Sequence, residues 1–436
     1  MKILIASTPA TGHINPLIGV ARVFVDQGHE VIFQTASVFR DRIEQRGLAF
    51  RPFLPGADLD FRQIDTLFPD RKHLKPGPEM GQFDLERIFI DPAPHQHASL
   101  LATLRDWPAD VIIADDVFLG TVPMLLGDRN KRPIIVHWGT TCLFTERDDG
   151  GPANLGLPLA STTAQREEYS VARAELDATL LTPVRKYFDT RLAELGVRPL
   201  PFGFLSVTAK LADLYLQPTV PSFEYPSRVL SSLKSFHFVG QLPQRSFDIP
   251  RPSWADDIDG TKRVVLVTQG TINNYDFGQL VEPTLSALAD DPGLLVVVTT
   301  GGQPLDAVRG RIPGNARLST LLPLDWLLPK VDVLVTNGGY GTVSQALQFG
   351  IPIVVAGMTE DKPEVAARVA WAGVGINLAS NNPTPEALRD AVRSTLDAPQ
   401  YRERAKAVAR EFARYDTKAE IIRLVTNAVE RRQDAA

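Results

Sequence analysis

The sequence predicts an α/β protein in which two Rossmann-like domains, each with a doubly wound parallel sheet, face each other across a cleft. The first observation is length, because 436 residues exceed what one hydrophobic core usually holds. The second is a strand-and-helix alternation that begins at Lys2, stops near Gly240 and restarts at Arg263. The third is a glycine-rich loop, residues 337–342, at the end of an apolar strand.

In the N-terminal half, apolar and β-branched runs predict strands, and amphipathic runs between them predict helices. The strands are expected at residues 2–7, 30–35, 111–114 and 134–137, and the helices at 16–27 and 38–46. Residues 52–98 are rich in Pro, Phe, Asp and Gly, and we interpret them as long irregular insertions at the ligand end of the sheet. A helical pattern over residues 161–195 contains Pro183, where a break or kink is expected.

The C-terminal half repeats the alternation after a proline-rich, non-periodic stretch. Strands are expected at 263–267, 294–299, 331–336 and 352–355, and helices at 277–289, from 343, and at 362–372, 385–396, 400–412 and 418–432. We therefore place an N-terminal domain at residues 1–240, a linker at 241–262, a second domain at 263–415 and a C-terminal helix within 416–436. That last helix is expected to pack back on the first domain.

Composition excludes several functions. A net charge of −5 without a long basic run argues against a dedicated nucleic-acid binder. No stretch approaches the ~20 apolar residues of a membrane span, and the first residues do not form a signal peptide. Cys142 is the sole cysteine, so no intramolecular disulfide forms, which suits the reducing cytoplasm where we expect the protein.

The loop 337–342 has the features of an anion site. It follows the apolar strand and contains Gly338, Gly339 and Gly341 just before a helix pattern. Glycines let a ligand approach the backbone closely, and the free N–H groups and dipole of a helix N-terminus favour phosphate. Glycines that serve packing alone are an equally open interpretation at this point.

The first predicted strand ends in a loop that offers a histidine rather than a dinucleotide fingerprint. Residues 7–16 contain one glycine, Gly12, whereas dinucleotide binding requires G-x-G-x-x-G. His13 lies just before a helix that we expect to begin at Pro16. At that strand end the imidazole would face the cleft and could act as a base near neutral pH. A structural loop histidine is the alternative.

Asp115 is the candidate partner for this histidine. It directly follows the strand 111–114, so it should lie at the same edge of the sheet as His13. A carboxylate there can fix the tautomer of the imidazole and stabilise the imidazolium. The next residue, Asp116, is expected to point elsewhere. An aspartate that only caps the strand end is the alternative.

Two further loops in the C-terminal half offer groups for a phosphorylated ligand. Residues 269–271 follow a strand, and their backbone N–H groups and the Thr271 hydroxyl could hold phosphate. Residues 357–363 contain an acidic pair and a lysine, which suit a polyhydroxyl group, with a solvated capping loop as the alternative. His95 and His97 have no Cys or Glu set at a recognised spacing, so no metal site is predicted.

Taken together, these segments resemble one family. The C-terminal half is similar to the donor half of GT-B nucleotide-sugar glycosyltransferases, in the group that includes plant and animal UDP-glycosyltransferases and bacterial macrolide and antibiotic glycosyltransferases. The resemblance is carried by residues 12–16, 335–339, 345–347, 350–352 and 360–363. The GT-B fold that it implies agrees with two Rossmann-like domains facing across a cleft.

The resemblance implies roles for individual residues. His13 matches the base that deprotonates the acceptor hydroxyl, and Asp115 matches its carboxylate partner. Within the implied donor site, the loop 337–342 would hold the pyrophosphate, residue 345 the ribose and residues 361–362 the sugar hydroxyls. The implied donor-binding residues are Gly12, Gly270, Thr271, Leu322, Asn337, Gly338, Gly339, Gly341, Thr342, Gln345, Glu360, Asp361 and Lys362.

Four positions depart from the family's usual pattern. Asn337 stands where the family usually has His, and Gln345 where it usually has Glu, so neutral groups would contact phosphate and ribose. Lys362 replaces a common Gln, so the sugar preference does not transfer, and Leu324 stands where many members have Gln. The combination is closer to a bacterial subgroup than to the plant enzymes.

The implied activity is inverting, metal-independent transfer of a hexose from a UDP- or dTDP-sugar to a hydroxyl of an apolar natural product, phenolic, polyketide, terpenoid or lipid. The nucleotide sugar is a co-substrate, and no tightly bound cofactor is expected. The expected partners include no nucleic acid and no integral membrane, and the protein would be a monomer or homodimer. Aromatic residues in variable segments are the expected acceptor-binding residues: Phe61, Phe83, Phe89, Trp138 and Phe144.

Two other classes stay open. A nucleotide-sugar 2-epimerase of the same fold would release an epimerised sugar without an acceptor, and it would not need the aromatic insertions. A catalytically inactive nucleotide-sugar binding module would fit the changes at Asn337 and Gln345, although His13 and Asp115 argue against it. An acceptor screen with product masses separates the three.

Overall fold

The computed structural model describes residues 1–75, 77–243, 249–271 and 274–434. In these residues the chain forms two parallel β-sheets with helices packed on their faces, one sheet in each half. The predicted α/β class with two doubly wound sheets is therefore confirmed. The predicted linker at 241–262 includes residues 244–248, which lie outside the described residues.

The N-terminal sheet has seven strands in the order β3-β2-β1-β4-β5-β6-β7, with every neighbouring pair parallel. The order reverses direction between β1 and β4, and ligands bind at the carboxyl ends of strands at such a switch point. The strands are β1 Lys2–Ala6, β2 Glu30–Thr35, β3 Ala49–Pro52, β4 Val111–Asp115, β5 Ile134–Trp138, β6 Leu214–Gln217 and β7 Phe236–Phe238.

The C-terminal sheet has six strands in the order β10-β9-β8-β11-β12-β13, again all parallel. Thr268 is in register with Thr336, so β8 and β11 end side by side at the switch point of this sheet. The strands are β8 Arg263–Thr268, β9 Leu294–Thr299, β10 Ala316–Ser319, β11 Val333–Thr336, β12 Ile353–Val355 and β13 Gly375–Asn377.

Helices cover both faces of each sheet. Those of the N-terminal half are α1 Thr11–Val25, α2 Arg40–Glu44, α3 Ile64–Leu67, α4 Pro78–Phe83, α5 Ala93–Asp106, α6 Val122–Leu125, α7 Thr163–Leu176, α8 Thr182–Glu194, α9 Val207–Leu211 and α10 Arg228–Ser231. Those of the C-terminal half are α11 Val281–Ala287, α12 Leu324–Leu327, α13 Tyr340–Gln348, α14 Lys362–Trp371, α15 Pro385–Asp397, α16 Pro399–Phe412 and α17 Thr417–Gln433. Among the helices described, none is long and apolar enough to span a membrane.

The last helix does not pack on the sheet that precedes it in sequence. Ile421, Leu424 and Val425 of α17 are buried with the residues of β1, β4, β5 and α1 in the core of the N-terminal sheet. Fully burying side chains of this size stabilises a fold by about 1.5–3 kcal/mol each. The chain therefore crosses back to the N-terminal half at its end.

Three regions differ from the sequence prediction. Residues 52–98 are largely helical instead of irregular: they contain α3, α4, the start of α5 and a π-helical segment at Asp84–Ile90. The helical run near Pro183 continues from α7 to α8 through a π-helical segment at Asp177–Leu181. Five strands, β3, β6, β7, β10 and β13, were not predicted; each has three or four residues and at most one β-branched residue, whereas the equally short β11 and β12 have three.

Candidate active site

A large cavity lies between the two sheets at the carboxyl ends of their strands. Its volume is about 2130 Å³. Its walls come from both halves: His13 follows β1, Asp116 follows β4, Gly270 follows β8 and Asn337 follows β11. The cleft expected from the sequence is therefore present, and most of the predicted site residues line it.

His13 lies in the first turn of α1, whereas the sequence placed it before the helix. The helix begins at Thr11, and Pro16 sits in its second turn instead of at its first position. Pro16 has no N–H group, so the carbonyl of Gly12 at the cavity wall lacks its usual partner within the helix.

Asp115 joins this helix start to the neighbouring strand. It is the last residue of β4 and its side chain is fully buried, with Oδ1 3.3 Å from Nδ1 of His13. Oδ1 also accepts a hydrogen bond from the hydroxyl of Thr8 at 2.9 Å, and Oδ2 accepts one from the backbone N–H of Thr8 at 2.7 Å. The carboxylate thus holds the loop after β1 and meets the imidazole at the same time.

Asp116 points toward the same site, so the expectation that it points elsewhere is wrong. Its Oδ1 accepts a hydrogen bond from the hydroxyl of Thr140 at 2.5 Å, and its Oδ2 accepts one from Thr141 at 2.6 Å. Thr140 Oγ1 in turn lies 2.8 Å from Nδ1 of His13. The chain leaves the strand at Asp115, so the alternation of side chains between the faces of the sheet no longer applies.

These carboxylates control the protonation of the histidine. Burial alone would lower the pKa of His13, but the charges of Asp115, Asp116 and Asp361 outweigh it and raise the pKa above the ordinary value of 6.5. Burial would raise the pKa of Asp115, yet His13 and the hydrogen bonds from Thr8 hold it below 3.8. A carboxylate only accepts hydrogen bonds, so Nδ1 carries the proton and Nε2 keeps a lone pair.

A second buried histidine supports the end of β4. Nδ1 of His137 donates to the backbone carbonyl of Asp115 at 2.8 Å, and its Nε2 lies 2.9 Å from the hydroxyl of Thr121. Burial lowers the pKa of His137 in spite of the nearby carboxylates, so the ring is neutral near pH 7. The sequence shows no partner for this residue, because both contacts are made by residues distant from it along the chain.

The glycine-rich loop of the C-terminal sheet forms the wall opposite His13. The predicted donor-binding residues that line the cavity are Gly12, Gly270, Thr271, Leu322, Asn337, Gly339, Gly341, Thr342, Gln345, Glu360, Asp361 and Lys362. Nδ2 of Asn337 donates to the backbone carbonyl of Gln269 at 2.7 Å. This hydrogen bond connects the loop after β11 to the loop after β8. The free N–H groups at the start of α13 lie at this wall.

Gly338 is a correction to the predicted donor site, because it does not line the cavity. Its φ of 96° is in the left-handed region, and a Cβ at this position would lie 2.9 Å from a methyl of Val355. The residue therefore satisfies the tight turn and the close packing against β12. Its neighbours in the loop, and not Gly338 itself, are placed to contact a ligand.

The loop after β12 brings three charged side chains to the cavity. Lys362 and Glu360 form an ion pair, and Lys362 is almost fully buried. Burial raises the pKa of Asp361 to about 6; the charge of Glu360 adds to this effect and that of Lys362 opposes it. Asp361 and His13 influence each other's pKa across the cavity, so the acidic loop and the histidine share one electrostatic environment.

Most of the predicted acceptor-binding aromatic residues line the N-terminal wall. Those present are Phe61, Phe89, Trp138 and Phe144. Phe83 is not among them: on α4 it packs edge-on against Phe68, with ring centroids 6.3 Å apart. Further apolar lining comes from Leu85, Ile88, Leu180 and Phe204. This part of the cavity suits an apolar molecule.

A buried polar cluster beside the cavity joins the two halves. Arg368 of α14 contacts Glu224 of the N-terminal half at 2.8 Å and Glu364 of its own helix at 2.7 Å, and none of the three side chains is more than 2% exposed. Tyr340, the first residue of α13, donates its hydroxyl to Glu224 at 2.9 Å and accepts from Nε2 of Gln217 at 2.7 Å. A Glu–Arg pair four residues apart on an apolar helix was the only sequence signal for this cluster.

One group of side chains in the described part of the chain has the spacing for a metal ion. The ligating atoms of His13, Asp115 and Asp116 all lie within 4.8 Å of one another. The hydrogen bonds from Thr8 and Thr140 already account for this convergence. His97 instead uses its Nδ1 on the carbonyl of Gly120 at 3.2 Å.

Comparison with known proteins agrees with this architecture. Residues 285–427 match the family described as Erythromycin biosynthesis protein CIII-like, C-terminal domain. The chain is 36% identical over 432 residues to 4'-demethylrebeccamycin synthase of Lentzea aerocolonigenes, covering 98% of this chain and 99% of that protein. It is 34% identical over 426 residues to UDP-glycosyltransferase 2 of Phaeomoniella chlamydospora, covering 95% and 92%.

Solved structures share the whole fold at low sequence identity. The calicheamicin glycosyltransferase CalG4 superposes with a TM-score of 0.72 at 20% identity, covering 99% of this chain and 98% of that one. The glycosyltransferase VinC in complex with dTDP gives 0.70 at 20% identity, covering 99% and 100%. The chain therefore belongs to the GT-B nucleotide-sugar-dependent glycosyltransferases, in the family of UDP-glycosyltransferases and bacterial antibiotic glycosyltransferases, and it is an enzyme of that class.

Proposed function

We propose that this enzyme is an inverting, metal-independent glycosyltransferase that moves a hexose from a UDP- or dTDP-sugar to a hydroxyl of an apolar natural product. The observation that carries the proposal is the single cavity that has His13 on one wall and the glycine-rich loop with Asp361 on the other. We propose UDP or dTDP as the nucleotide of the donor, because a relative is named UDP-glycosyltransferase 2 and VinC was solved in complex with dTDP.

In the proposed reaction, Nε2 of His13 accepts the proton of the acceptor hydroxyl while the oxygen attacks the anomeric carbon. The bond from that carbon to the diphosphate breaks, and the products are a glycoside of inverted configuration and a nucleoside diphosphate. The raised pKa of His13 makes the imidazole a better proton acceptor, with Asp115 stabilising the resulting cation.

The leaving diphosphate would be stabilised by the C-terminal wall. Residues 339–342 and Thr271 line the cavity, and their N–H groups and the hydroxyls of Thr271 and Thr342 would donate hydrogen bonds to the diphosphate as its negative charge develops. Gln345 would contact the ribose, and Asp361 with Lys362 the sugar hydroxyls. No metal is required in this scheme, because the charge would be met by the backbone N–H groups, the threonine hydroxyls and the helix dipole.

The acceptor side distinguishes a transferase from an epimerase. An epimerase has no use for a second, apolar compartment, whereas the cavity continues past His13 between aromatic and aliphatic residues. We therefore propose a hydroxylated apolar acceptor, bound along Phe61, Phe89 and Phe144. The cytoplasm is the proposed location, in keeping with a single, buried cysteine.

The decisive experiment replaces the base. His13→Ala is expected to lower transfer by about 10²–10⁴-fold, the usual contribution of a general base, while dTDP or UDP still raises the melting temperature. His73→Ala is the matched control, since His73 is exposed and outside the cavity. Near-normal turnover by the His13 variant would overturn its role as base.

Four further readouts test the rest of the proposal. Product masses from an acceptor panel separate transfer from epimerisation, and the anomeric coupling in the product NMR spectrum shows whether configuration inverts. A thermal-shift panel with UDP, dTDP, GDP and NAD selects the nucleotide. Loss of activity in EDTA, restored by a divalent cation, would refute metal independence.

A further inference from the structure

The hydroxyl of Thr140 is closer to the imidazole of His13 than the Asp115 carboxylate is. The distances to Nδ1 are 2.8 Å for Thr140 Oγ1 and 3.3 Å for Asp115 Oδ1. Asp115 is also shared, because both of its oxygens accept hydrogen bonds from Thr8. The shorter contact of His13 is therefore with a residue that follows β5.

Asp116 determines which way the Thr140 hydroxyl points. A hydroxyl has a single proton, and a carboxylate can only accept one. Oδ1 of Asp116 lies 2.5 Å from Thr140 Oγ1 and also accepts from the backbone N–H of Thr140 at 3.0 Å. With its proton directed at Asp116, Oγ1 offers only lone pairs to Nδ1 of His13. Nδ1 must then carry the proton, and Nε2 keeps its lone pair.

We propose that Thr140 and Asp116 are positioning residues for His13, forming a relay that fixes the Nδ1–H tautomer and stabilises the imidazolium in parallel with Asp115. The inference rests on the proposed role of His13 as the base. When Nε2 takes the acceptor proton, the positive charge of the ring is met by Asp115 directly and by Asp116 through the Thr140 hydroxyl. The two carboxylates thus act on the same ring nitrogen by different routes.

The relay predicts a pH effect, because removing the hydroxyl weakens the link between Asp116 and the ring. The charged groups whose fields reach His13 are Asp115, Asp116 and Asp361. Thr140→Val leaves all three in place and removes only the bridging oxygen. Thr140→Ser retains that oxygen and should restore most of the activity. Thr141→Val is the matched comparison, because the Thr141 hydroxyl bonds the other oxygen of Asp116, whereas Thr140 supplies the hydroxyl beside His13.

The test has one readout that needs no acceptor. In enzyme with ¹⁵N-labelled histidine rings, the His13 signals are assigned by their loss in His13→Ala, and the nitrogen shifts report tautomer and titration. We expect Nδ1–H in the resting enzyme and a titration midpoint about half a pH unit or more lower in Thr140→Val. The Ser variant should keep the wild-type midpoint, and Thr141→Val should shift it less than Thr140→Val does.

The kinetic arm uses UDP-glucose or dTDP-glucose with 4-methylumbelliferone as a phenolic acceptor. Thr140→Val should lower kcat by about 10–100-fold and leave the KM of the donor unchanged. The acid limb of its pH–rate profile should lie at lower pH than in the wild type. An unchanged midpoint, an Nε2–H tautomer, or an equal shift in Thr141→Val would overturn the relay. A raised KM at constant kcat would assign Thr140 to substrate binding instead. If His13→Ala keeps its activity, the base assignment fails, whereas the NMR result still decides the relay.

Discussion

The buried cluster around Arg368 gives the sharpest stability prediction, the effect of Arg368→Met. The guanidinium contacts Glu224 and Glu364, donates to the backbone carbonyl of Leu143 at 2.9 Å, and lies over the ring of Tyr225 at 4.4 Å. Methionine keeps much of the volume but leaves two carboxylates buried without their cation. Breaking a buried ion pair in this way costs about 3–5 kcal/mol.

That free energy translates into a measurable change in melting temperature. For a cooperative unit of about 150–250 residues, 1 kcal/mol shifts Tm by about 2–4 °C, so Arg368→Met should lower Tm by about 6–20 °C. Because Arg368 of α14 holds Glu224 and Leu143 of the N-terminal half, differential scanning calorimetry should also show two separated transitions where the wild type shows closer ones.

Two further variants make the reasoning refutable. Arg263→Met removes an exposed ion pair with Asp397, whose side chains are 49% and 65% exposed, and should cost no more than about 1 kcal/mol. Adding Glu224→Gln and Glu364→Gln to Arg368→Met should recover part of the lost stability, because no uncompensated charge is then buried. A Tm loss for Arg368→Met no larger than for Arg263→Met would refute the argument.

The other predictions concern the pH dependence of the reaction and the loop at Asn337. Since the pKa of His13 is raised, kcat/KM should rise with pH and level off only above pH 6.5. Asp115→Asn removes the largest cause that raises this pKa. The rise in kcat/KM should then occur at lower pH in that variant and end at a lower plateau. Asp361 has a pKa of about 6 and adds a second protonation below that pH. A plot of log kcat/KM against pH should therefore fall with a slope approaching two below pH 6 in the wild type and a slope of one in Asp361→Asn. Identical slopes in the two enzymes would contradict this prediction. Gly357→Ala would place a Cβ 2.1 Å from the carbonyl oxygen of Asn337, so it should destabilise the protein by about 1–3 kcal/mol and weaken dTDP binding, as measured by Tm and calorimetry. A variant with wild-type Tm and dTDP affinity would show that this loop can move without cost.

The sheets were the predictable part of the molecule, because their central strands are long and apolar. Strands β2 and β9 occur at the residues that the apolar runs indicate. Strands β3, β6, β7, β10 and β13 were missed because they lack the β-branched runs by which the equally short β11 and β12 were recognised. Residues 52–98 were misjudged because several of their prolines, such as Pro69, Pro78 and Pro94, fall at helix starts, where the missing N–H costs nothing.

The candidate site was predictable only where its groups are encoded next to a strand end. His13 and Asp115 fulfil that condition, and so does most of the glycine loop. Thr140 was missed because its role depends on which strand neighbours β4, a fact of topology that no local pattern contains. Phe83 was misplaced for a related reason: which side of a helix faces the cavity cannot be read where the helix itself was not predicted.

The return of α17 to the N-terminal sheet has a consequence for synthesis and for engineering. The core of the first sheet is completed by Ile421 and Val425, so a ribosome must deliver nearly the whole chain before that core can close. A chimera that exchanges the C-terminal sheet and its helices with a relative therefore needs two junctions, one between β7 and β8 and one between α16 and α17. A single junction would place a foreign helix in the core of the N-terminal sheet.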